Sequence, residues 1–196
     1  EEKPDQFEAL VTDLLDLAKL EARRFRLDLA TVDGTDLVER AFQAYAGEAA
    51  RRGMKYEQAS TPLPTLFTDS ARVRQIIGNL MSNAIKFTDQ GSVTTTLATQ
   101  QTRDGRVEIL ISVIDTGPGI PDAIAESVFA PFEQAPSNAG RGGAGLGLFI
   151  SRRLARLMGG DLTLEPARRN GSHFRLALVA DLVTHAGRDN PAASED

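Results

Sequence analysis

The hydrophobic period of this chain switches back and forth along its length, and that switching limits the possible folds more than any other feature. "SVTTTLATQ" (92–100) and "RVEILISVID" (106–115) alternate as strands do, every second side chain facing the same way, and "TRDG" between them predicts a hairpin. "DLTLEPA" (161–167) and "SHFRLALVAD" (172–181) predict a second hairpin through "RRNG". Elsewhere the apolar residues recur at helical spacing. Phe7, Leu10, Val11, Leu14, Leu15, Ala18 and Leu20 make residues 5–24 an amphipathic helix, with Asp13, Asp16, Lys19 and Glu21 on its other faces. That helix either packs on its own domain or forms a dimer or coiled-coil seam. "FRLDLATVD" (25–33) alternates like a strand, and Thr35 or Asp36 can cap a helix running to about Arg52 and stopped by Gly53. "TPLPTLFTD" (61–69) is an extended, proline-marked connection, after which Asp69 or Ser70 opens a helix to about Phe87, closed by "TDQG". A polar, glycine-rich stretch over 116–145 holds one short helix at 122–129. A further helix, from about Leu146 to Met158, ends at Gly159–Gly160. Helices alternating with hairpins predict an α/β fold in which one mixed sheet is covered by helices on one face, preceded by the amphipathic helix. Residues 27–183 form the predicted α/β domain, and 184–196 a disordered tail.

Composition removes several function classes. With 196 residues, 41% hydrophobic and 25% charged, the chain can bury a real core as one domain with an appended segment. A net charge of −5 and the absence of any Lys/Arg-rich run argue against a nucleic-acid surface. Without cysteine there are no disulfides, iron–sulfur clusters or thiolate zinc, and His173 and His185 alone make a multi-histidine metal site a poor reading. No apolar run approaches the roughly 18 residues of a membrane span, and the N-terminus lacks a signal-peptide pattern. A cytoplasmic location is therefore expected, with room for a longer, membrane-anchored parent.

Four clusters carry chemistry. In "RQIIGNLMSNAIKFT" (74–88), Asn79, Asn83 and Lys86 fall within about 60° on a helical wheel, apart from the stripe of Val73, Ile77, Leu80 and Ala84. Two amides and an ammonium on one face can bind a cation through carbonyl oxygens while the lysine meets phosphate; a solvated polar face is the plainer alternative. "ISVIDTGPGIP" (111–121) ends a buried strand in Asp115, then brackets a proline with Gly117 and Gly119. A strand-end carboxylate against apolar walls can accept a hydrogen bond from an exocyclic amine such as that of adenine, and the glycines let backbone pass close to a flat ring. The same residues also suit a simple Asx-turn. "ESVFAPFEQ" (126–134) sets Phe129 and Phe132 around a proline, both expected as core anchors that pin the loop after them. Finally, five glycines crowd into residues 140–147. "GRGGAG" formally matches G-x-G-x-x-G but follows a loop rather than a strand, so a dinucleotide fingerprint is rejected, and no P-loop exists. What remains is a pliant segment that delivers backbone N–H groups to the helix start at Leu146, a ready anion site to which Arg141 can add charge, or else an ordinary mobile loop.

In order, the chain carries Asn-x-x-x-Asn-Ala on a helix, Asp-x-Gly-x-Gly-Ile after a strand, a Phe-x-x-Phe pair and Gly-x-Gly-Leu-Gly-Leu. Over about residues 35–181 this resembles the ATP-binding catalytic domain of sensor histidine kinases, within the wider gyrase/Hsp90-type ATPase superfamily. Residues 1–26 resemble the C-terminal part of that family's dimerisation and phosphoacceptor helix. The resemblance implies a two-layer α/β sandwich of a mixed sheet covered by helices on one face, with ATP and Mg²⁺ as cofactors held between the Asn79 helix and a mobile lid over about 130–145. It implies that Asn79 and Asn83 serve Mg²⁺ and the phosphates, with Lys86 on the phosphate side. Asp115 would read the adenine amine, and Gly117, Gly119 and Ile120 would shape its pocket. Phe129 and Phe132 would anchor the lid, and Arg141, Gly143, Gly145, Leu146 and Gly147 would close over the phosphates. Ala144 stands where the family often has Thr or Ser, so a hydroxyl contact to phosphate is missing. His173, in "GSHF", is expected as an exposed strand residue.

Superfamily members that hydrolyse ATP carry a glutamate general base at the position of Asn79, whose amide has no useful basicity. The implied activity is therefore a protein histidine kinase that passes the γ-phosphate to a histidine outside this chain, for onward transfer to a response regulator receiver domain. The implied partners are that receiver and the protein's own phosphoacceptor domain, and the chain by itself is expected as a monomer or weak dimer. A nucleotide-sensing pseudokinase module is the alternative, and an anti-sigma-type serine kinase or hydrolysing ATPase shares the fold.

Overall fold

A computed structural model describes residues 4–22, 24–133, 143–166 and 170–182. The chain opens with helix α1 (Pro4–Glu21), followed by strand β1 (Ala30–Asp33) and helix α2 (Gly34–Arg51). The strand expected over 25–33 keeps only its last four residues, because only these have partners, Ala30 to Asp33 facing Thr68 to Thr65 of β3 (Thr65–Thr68). Upstream, the Asp28 N–H is taken instead by the Asp69 carboxylate at 2.9 Å. The cap of α2 is Asp33, which accepts from Asp36 N at 2.8 Å, rather than Thr35 or Asp36. Thr35 Oγ1 is engaged elsewhere, accepting from Leu63 N at 2.8 Å and donating to its carbonyl.

Strand β2 (Lys55–Ser60) was not expected from the sequence, since "KYEQAS" has no apolar alternation; it is an edge strand paired in parallel with β4 (Ser92–Gln101). Strand β3 lies inside the stretch expected as a plain extended connection. Helix α3 (Ser70–Phe87) begins as expected, with Asp69 accepting from Ala71 N and Arg72 N at 3.1 Å, and buries Val73, Ile76, Ile77, Leu80, Met81, Ala84 and Ile85. Strand β5 (Val107–Asp115) pairs with β4 in the expected hairpin. The short helix expected at 122–129 is instead two 3-10 turns, Asp122–Ile124 and Ser127–Phe129, confined between Pro121 and Pro131. Helix α4 (Gly147–Leu157) ends against Gly159 at φ +76°, and strands β6 (Asp161–Glu165) and β7 (His173–Leu182) pair antiparallel.

The sheet order is β1-β3-β7-β5-β4-β2, with β6 beside β7. Every pairing is antiparallel except β2 with β4, so the sheet is mixed, as expected, although its parallel pair comes from β2, the strand the sequence did not show. One face is buried: Val107, Ile109, Ile111 and Val113 of β5 and Phe174, Leu176, Leu178 and Ala180 of β7 join the inner faces of α2, α3 and α4 in one core. His173 lies on the opposite face. It is half-buried rather than exposed, its Nε2 3.0 Å from Ser112 Oγ, and burial lowers its pKa. Among the described residues no helix is long and apolar enough to cross a membrane. The predicted tail, most of the predicted lid and Arg141 lie outside the described residues.

Candidate functional site

Strand β5 builds the first part of the site. Its inward alternation continues to its last residue, so Asp115 points into the protein and is 6% exposed. Its Oδ1 accepts from Gly117 N at 2.8 Å and from Ser172 N at 3.2 Å, and the Ser172 side chain adds a bond. Burial nevertheless dominates and raises the Asp115 pKa above the ordinary carboxylate range. The Asx-turn and the buried carboxylate are thus both present.

The backbone around Asp115 is packed so closely that side chains are excluded. A Cβ at Gly117 would lie 2.8 Å from the Phe87 carbonyl oxygen and 3.0 Å from Asp115 Oδ1. Gly119 adopts φ +78°, and its Cβ would meet the Gly171 carbonyl at 2.9 Å; a Cβ at Gly171 would overlap the Asp115 carbonyl at 1.8 Å. Ile120 is half-buried against the core. Thr88, at the end of α3, is 2% exposed, yet its Oγ1 is buried without a hydrogen-bond partner among the described residues. It would stand 3.3 Å from a Cβ at Gly117. A buried hydroxyl beside a buried carboxylate in a cradle of glycines suits a polar bound group.

Helix α3 builds the second part. Arg72, Gln75, Asn79, Asn83 and Lys86 share one stripe of it, within roughly 80°. Asn79 Nδ2 donates to the Gly147 carbonyl at 3.2 Å and to Ser151 Oγ at 3.0 Å, tying α3 to the first turn of α4. Asn83 and Lys86 are half-buried. Burial lowers the Lys86 pKa, and its ammonium sits 4.7 Å from the Phe87 ring centroid. Gly143, at φ +111°, comes so near that its Cβ would be 3.1 Å from Lys86 Nζ. Gly143, near Lys86, and Gly147, near Asn79, therefore lie against the amide and ammonium face of α3.

Phe132 N donates to the Gly145 carbonyl at 3.0 Å, which holds the two ends of the intervening stretch together. Gly145 adopts φ +70°, and a Cβ there would meet the Glu133 carbonyl at 2.8 Å. Leu146 is 1% exposed and acts as the start of α4 without a side-chain cap. Phe129 is the expected core anchor, edge-on to Phe174 at 6.2 Å and 4.4 Å beneath the Arg152 guanidinium. Phe132 is not: it is 63% exposed, because its backbone turns through φ +65° and sends the ring outward. Ala144 packs against the core with its methyl.

The structure thus brings Asp115, Gly117 and Gly119 together at the C-terminal end of α3, Lys86 with Gly143, and Asn79 with Gly147. Thr88, Ser151, Ser172 and Gly171 also belong to this region and were not singled out from sequence. Thr88 directly follows the polar helix and Ser151 lies one helical turn after Gly147, the only signals available for them. Among the described residues no group of three or more His, Cys, Asp or Glu is placed to hold a metal. The donor set fits a hard cation that takes one or two protein oxygens and completes its shell with phosphate and water, as Mg²⁺ does.

The chain matches the family described as histidine kinase-, DNA gyrase B-, and HSP90-like ATPase over residues 68–182. It is 37% identical over 180 residues to the aerobic respiration control sensor protein ArcB of Escherichia coli K12, a match covering 89% of this chain and 22% of ArcB. It is 33% identical over 196 residues to the sensor histidine kinase GacS of Pseudomonas protegens, covering 97% of this chain and 21% of GacS. The chain therefore spans only a small part of the curated relatives it matches. Full-length ShkA, crystallised with AMPPNP, superposes with a TM-score of 0.76 at 33% identity, over 91% of this chain and 37% of ShkA. The catalytic domain of histidine kinase ThkA shares the fold at TM-score 0.67 and 24% identity, over 78% of this chain and 98% of that domain.

Proposed function

Because the chain belongs to the histidine kinase-, DNA gyrase B- and HSP90-like ATPase family, we propose that it binds Mg²⁺–ATP along the polar face of α3 and supplies the γ-phosphate to a histidine on another segment. The observation that carries this reading is Asp115, a buried acceptor walled by glycine backbone beside the Thr88 hydroxyl, which has no partner among the described residues. The purine amine would donate to Asp115, with Thr88 reached directly or through water, and Gly117, Gly119 and Ile120 would flank the ring. Asn79 and Asn83 would hold Mg²⁺ through amide oxygens. Lys86, Gly143, Gly145, Gly147 and the N–H groups at the start of α4 would face the phosphates, with Leu146 fixing that turn and Arg141 adding charge. Mg²⁺ supplies charge neutralisation of the phosphates when bound.

The chain's own residues position rather than react. Asn79 offers an amide where a hydrolytic enzyme needs a base, so water is not activated and transfer depends on the approach of an acceptor. In this reading residues 1–26 end the dimerisation and phosphoacceptor segment, the acceptor histidine lies outside the chain, and a receiver aspartate takes the phosphoryl group onward. The sensor-protein relatives and the AMPPNP complex of ShkA support it.

Calorimetric titration with AMPPNP, with and without Mg²⁺, tests the site. Replacing a charged acceptor at Asp115→Asn is expected to weaken binding about 10- to 100-fold, the equivalent of about 1.5–3 kcal/mol. Labelled ATP with a supplied phosphoacceptor domain then tests the chemistry. Transfer to that domain with little phosphate released in its absence is expected; binding without transfer would make the chain a sensing module, and steady release would make it a hydrolase.

A further inference from the structure

We infer that Ser151 is a positioning residue for Asn79: together with the Gly147 carbonyl it fixes the side-chain amide so that Oδ1, not the NH₂ group, is presented to the cation and phosphates. This rests on the assignment of Asn79 to the Mg²⁺–ATP site and adds to it the residue that makes that assignment chemically workable.

The two ends of an asparagine amide are nearly equal in size and opposite in hydrogen-bonding sense. A half-turn of the terminal torsion would aim two N–H donors at a cation, which only an oxygen can ligate. Something must therefore forbid the half-turn. The Gly147 carbonyl is an acceptor and nothing else, so the amide atom 3.2 Å from it must be nitrogen. The second N–H of the same nitrogen meets Ser151 Oγ at 3.0 Å. Both hydrogens of Nδ2 are thereby engaged by α4, and Oδ1 is the end left for a ligand.

The geometry follows from helix spacing. Residues 147 and 151 are one turn apart and so share a face of α4, which lets both reach one nitrogen. The approach is close enough to need glycine at 147, where a Cβ would lie 3.4 Å from Asn79 Cγ. Ser151 is fully buried, at 0% exposure, between Ile150, Leu154 and Ala155 on the inner face of the helix. Alanine would suit that apolar face and the helix better. A buried hydroxyl is tolerated there because it is hydrogen-bonded, and no bulk water can replace it if it is removed.

The test uses the whole chain and reads binding rather than turnover. AMPPNP affinity is measured by calorimetry in Mg²⁺ and in EDTA for the wild type, Ser151→Ala, Ser151→Cys and Asn79→Ala. Cysteine is somewhat larger than serine and accepts poorly while alanine is no larger, so a loss shared by both variants is not a simple packing effect. Both Ser151 variants are expected to lose about 5-fold or more of the affinity gained on adding Mg²⁺, the worth of about one hydrogen bond, with affinity in EDTA within about twofold of wild type. In ¹H–¹⁵N spectra the Asn79 side-chain NH₂ pair, identified by its disappearance in Asn79→Ala, is expected to lose its protection from solvent exchange in Ser151→Ala. A Mg²⁺ gain abolished in Asn79→Ala but intact in both Ser151 variants would overturn the inference and leave the Asn79 assignment standing. Equal weakening with and without Mg²⁺ would also overturn it, reducing Ser151 to packing. A Mg²⁺ gain intact in Asn79→Ala would instead remove the assignment on which the inference rests, and the inference with it.

Discussion

Asp115 is a carboxylate at the end of an apolar strand, and its pKa is raised because burial opposes the charged form. Its bonds from Gly117 and Ser172 favour the charged form, while burial opposes it and wins. A folded pKa above the unfolded one means that the native state binds protons more tightly. Stability therefore falls as pH rises from the unfolded value through the raised folded one, and is level above it. Replacing Asp115 with Asn removes the buried charge but keeps an oxygen for the two backbone donors. Melting curves across pH are expected to show Asp115→Asn at least as stable as wild type at neutral pH, with the difference shrinking as acid protonates the wild-type carboxyl. Nucleotide binding should run the other way. In the proposed site it uses the ionised acceptor, so AMPPNP affinity is expected to decline on acidification through a pH above the ordinary carboxylate range, and Asp115→Asn should lack that decline. A variant that is no less stable yet binds poorly would separate a ligand-directed carboxylate from one kept only to close a turn.

Elements with a strong internal period were legible in the sequence; elements defined only by a neighbour were not. Helix α3 shows its apolar stripe, its Asp69 cap and its polar stripe directly, and β4, β5 and β7 show their alternation. Strand β2 needs only backbone pairing to the edge of β4, which leaves no side-chain pattern, and β1 stops where its partner β3 stops. The site divides in the same way. Asn79, Asn83, Lys86 and Asp115 sit on periodic elements and could be singled out as candidates, whereas Thr88, Ser151 and Gly171 join the candidate site only through the approach of distant chain. Phe129 and Phe132 show the limit most clearly. Three residues apart, they read as equals, yet the 3-10 turn ends at Phe129 and the backbone at Phe132 reverses hand. Their truncations should differ accordingly. In urea unfolding, Phe129→Ala is expected to cost about 3 kcal/mol or more, the usual loss for a buried aromatic, and Phe132→Ala less than about 1 kcal/mol. Equal losses would mean that the exposed ring is held by contacts the fold does not explain.

On the scale of the whole molecule, the polar stripe of α3 continues past the candidate site and becomes the socket for α1. Asp16 is 2% exposed on a helix whose Leu10, Val11, Leu14 and Leu15 are all exposed. Its Oδ2 accepts from Arg72 Nη1 at 2.8 Å and from Gln75 Nε2 at 2.9 Å. Arg72 also donates to Gln75 Oε1 at 2.6 Å and stacks 4.7 Å from the Phe25 ring centroid, so the socket that receives Asp16 is built from two separate stretches of chain. Alanine at position 16 would leave Arg72 and Gln75 facing a gap. The Arg72 side chain is 25% exposed and keeps its other contacts, so water and Gln75 moderate the loss. The expected cost is about 1–3 kcal/mol of α1 docking, the range for a hydrogen bond to a charged group. The socket's own helix should not follow, because α3 retains its Asp69 cap and its buried apolar face. Hydrogen exchange on Asp16→Ala is therefore expected to deprotect the amides of α1 while those of α3 stay protected, with AMPPNP affinity within about twofold of wild type. Protection of α1 unchanged by the substitution would show that the half-buried Leu17, packed against the core, is enough to seat the helix. Loss of protection in both helices would mean that α1 is part of the fold's cooperative unit rather than an arm docked upon it.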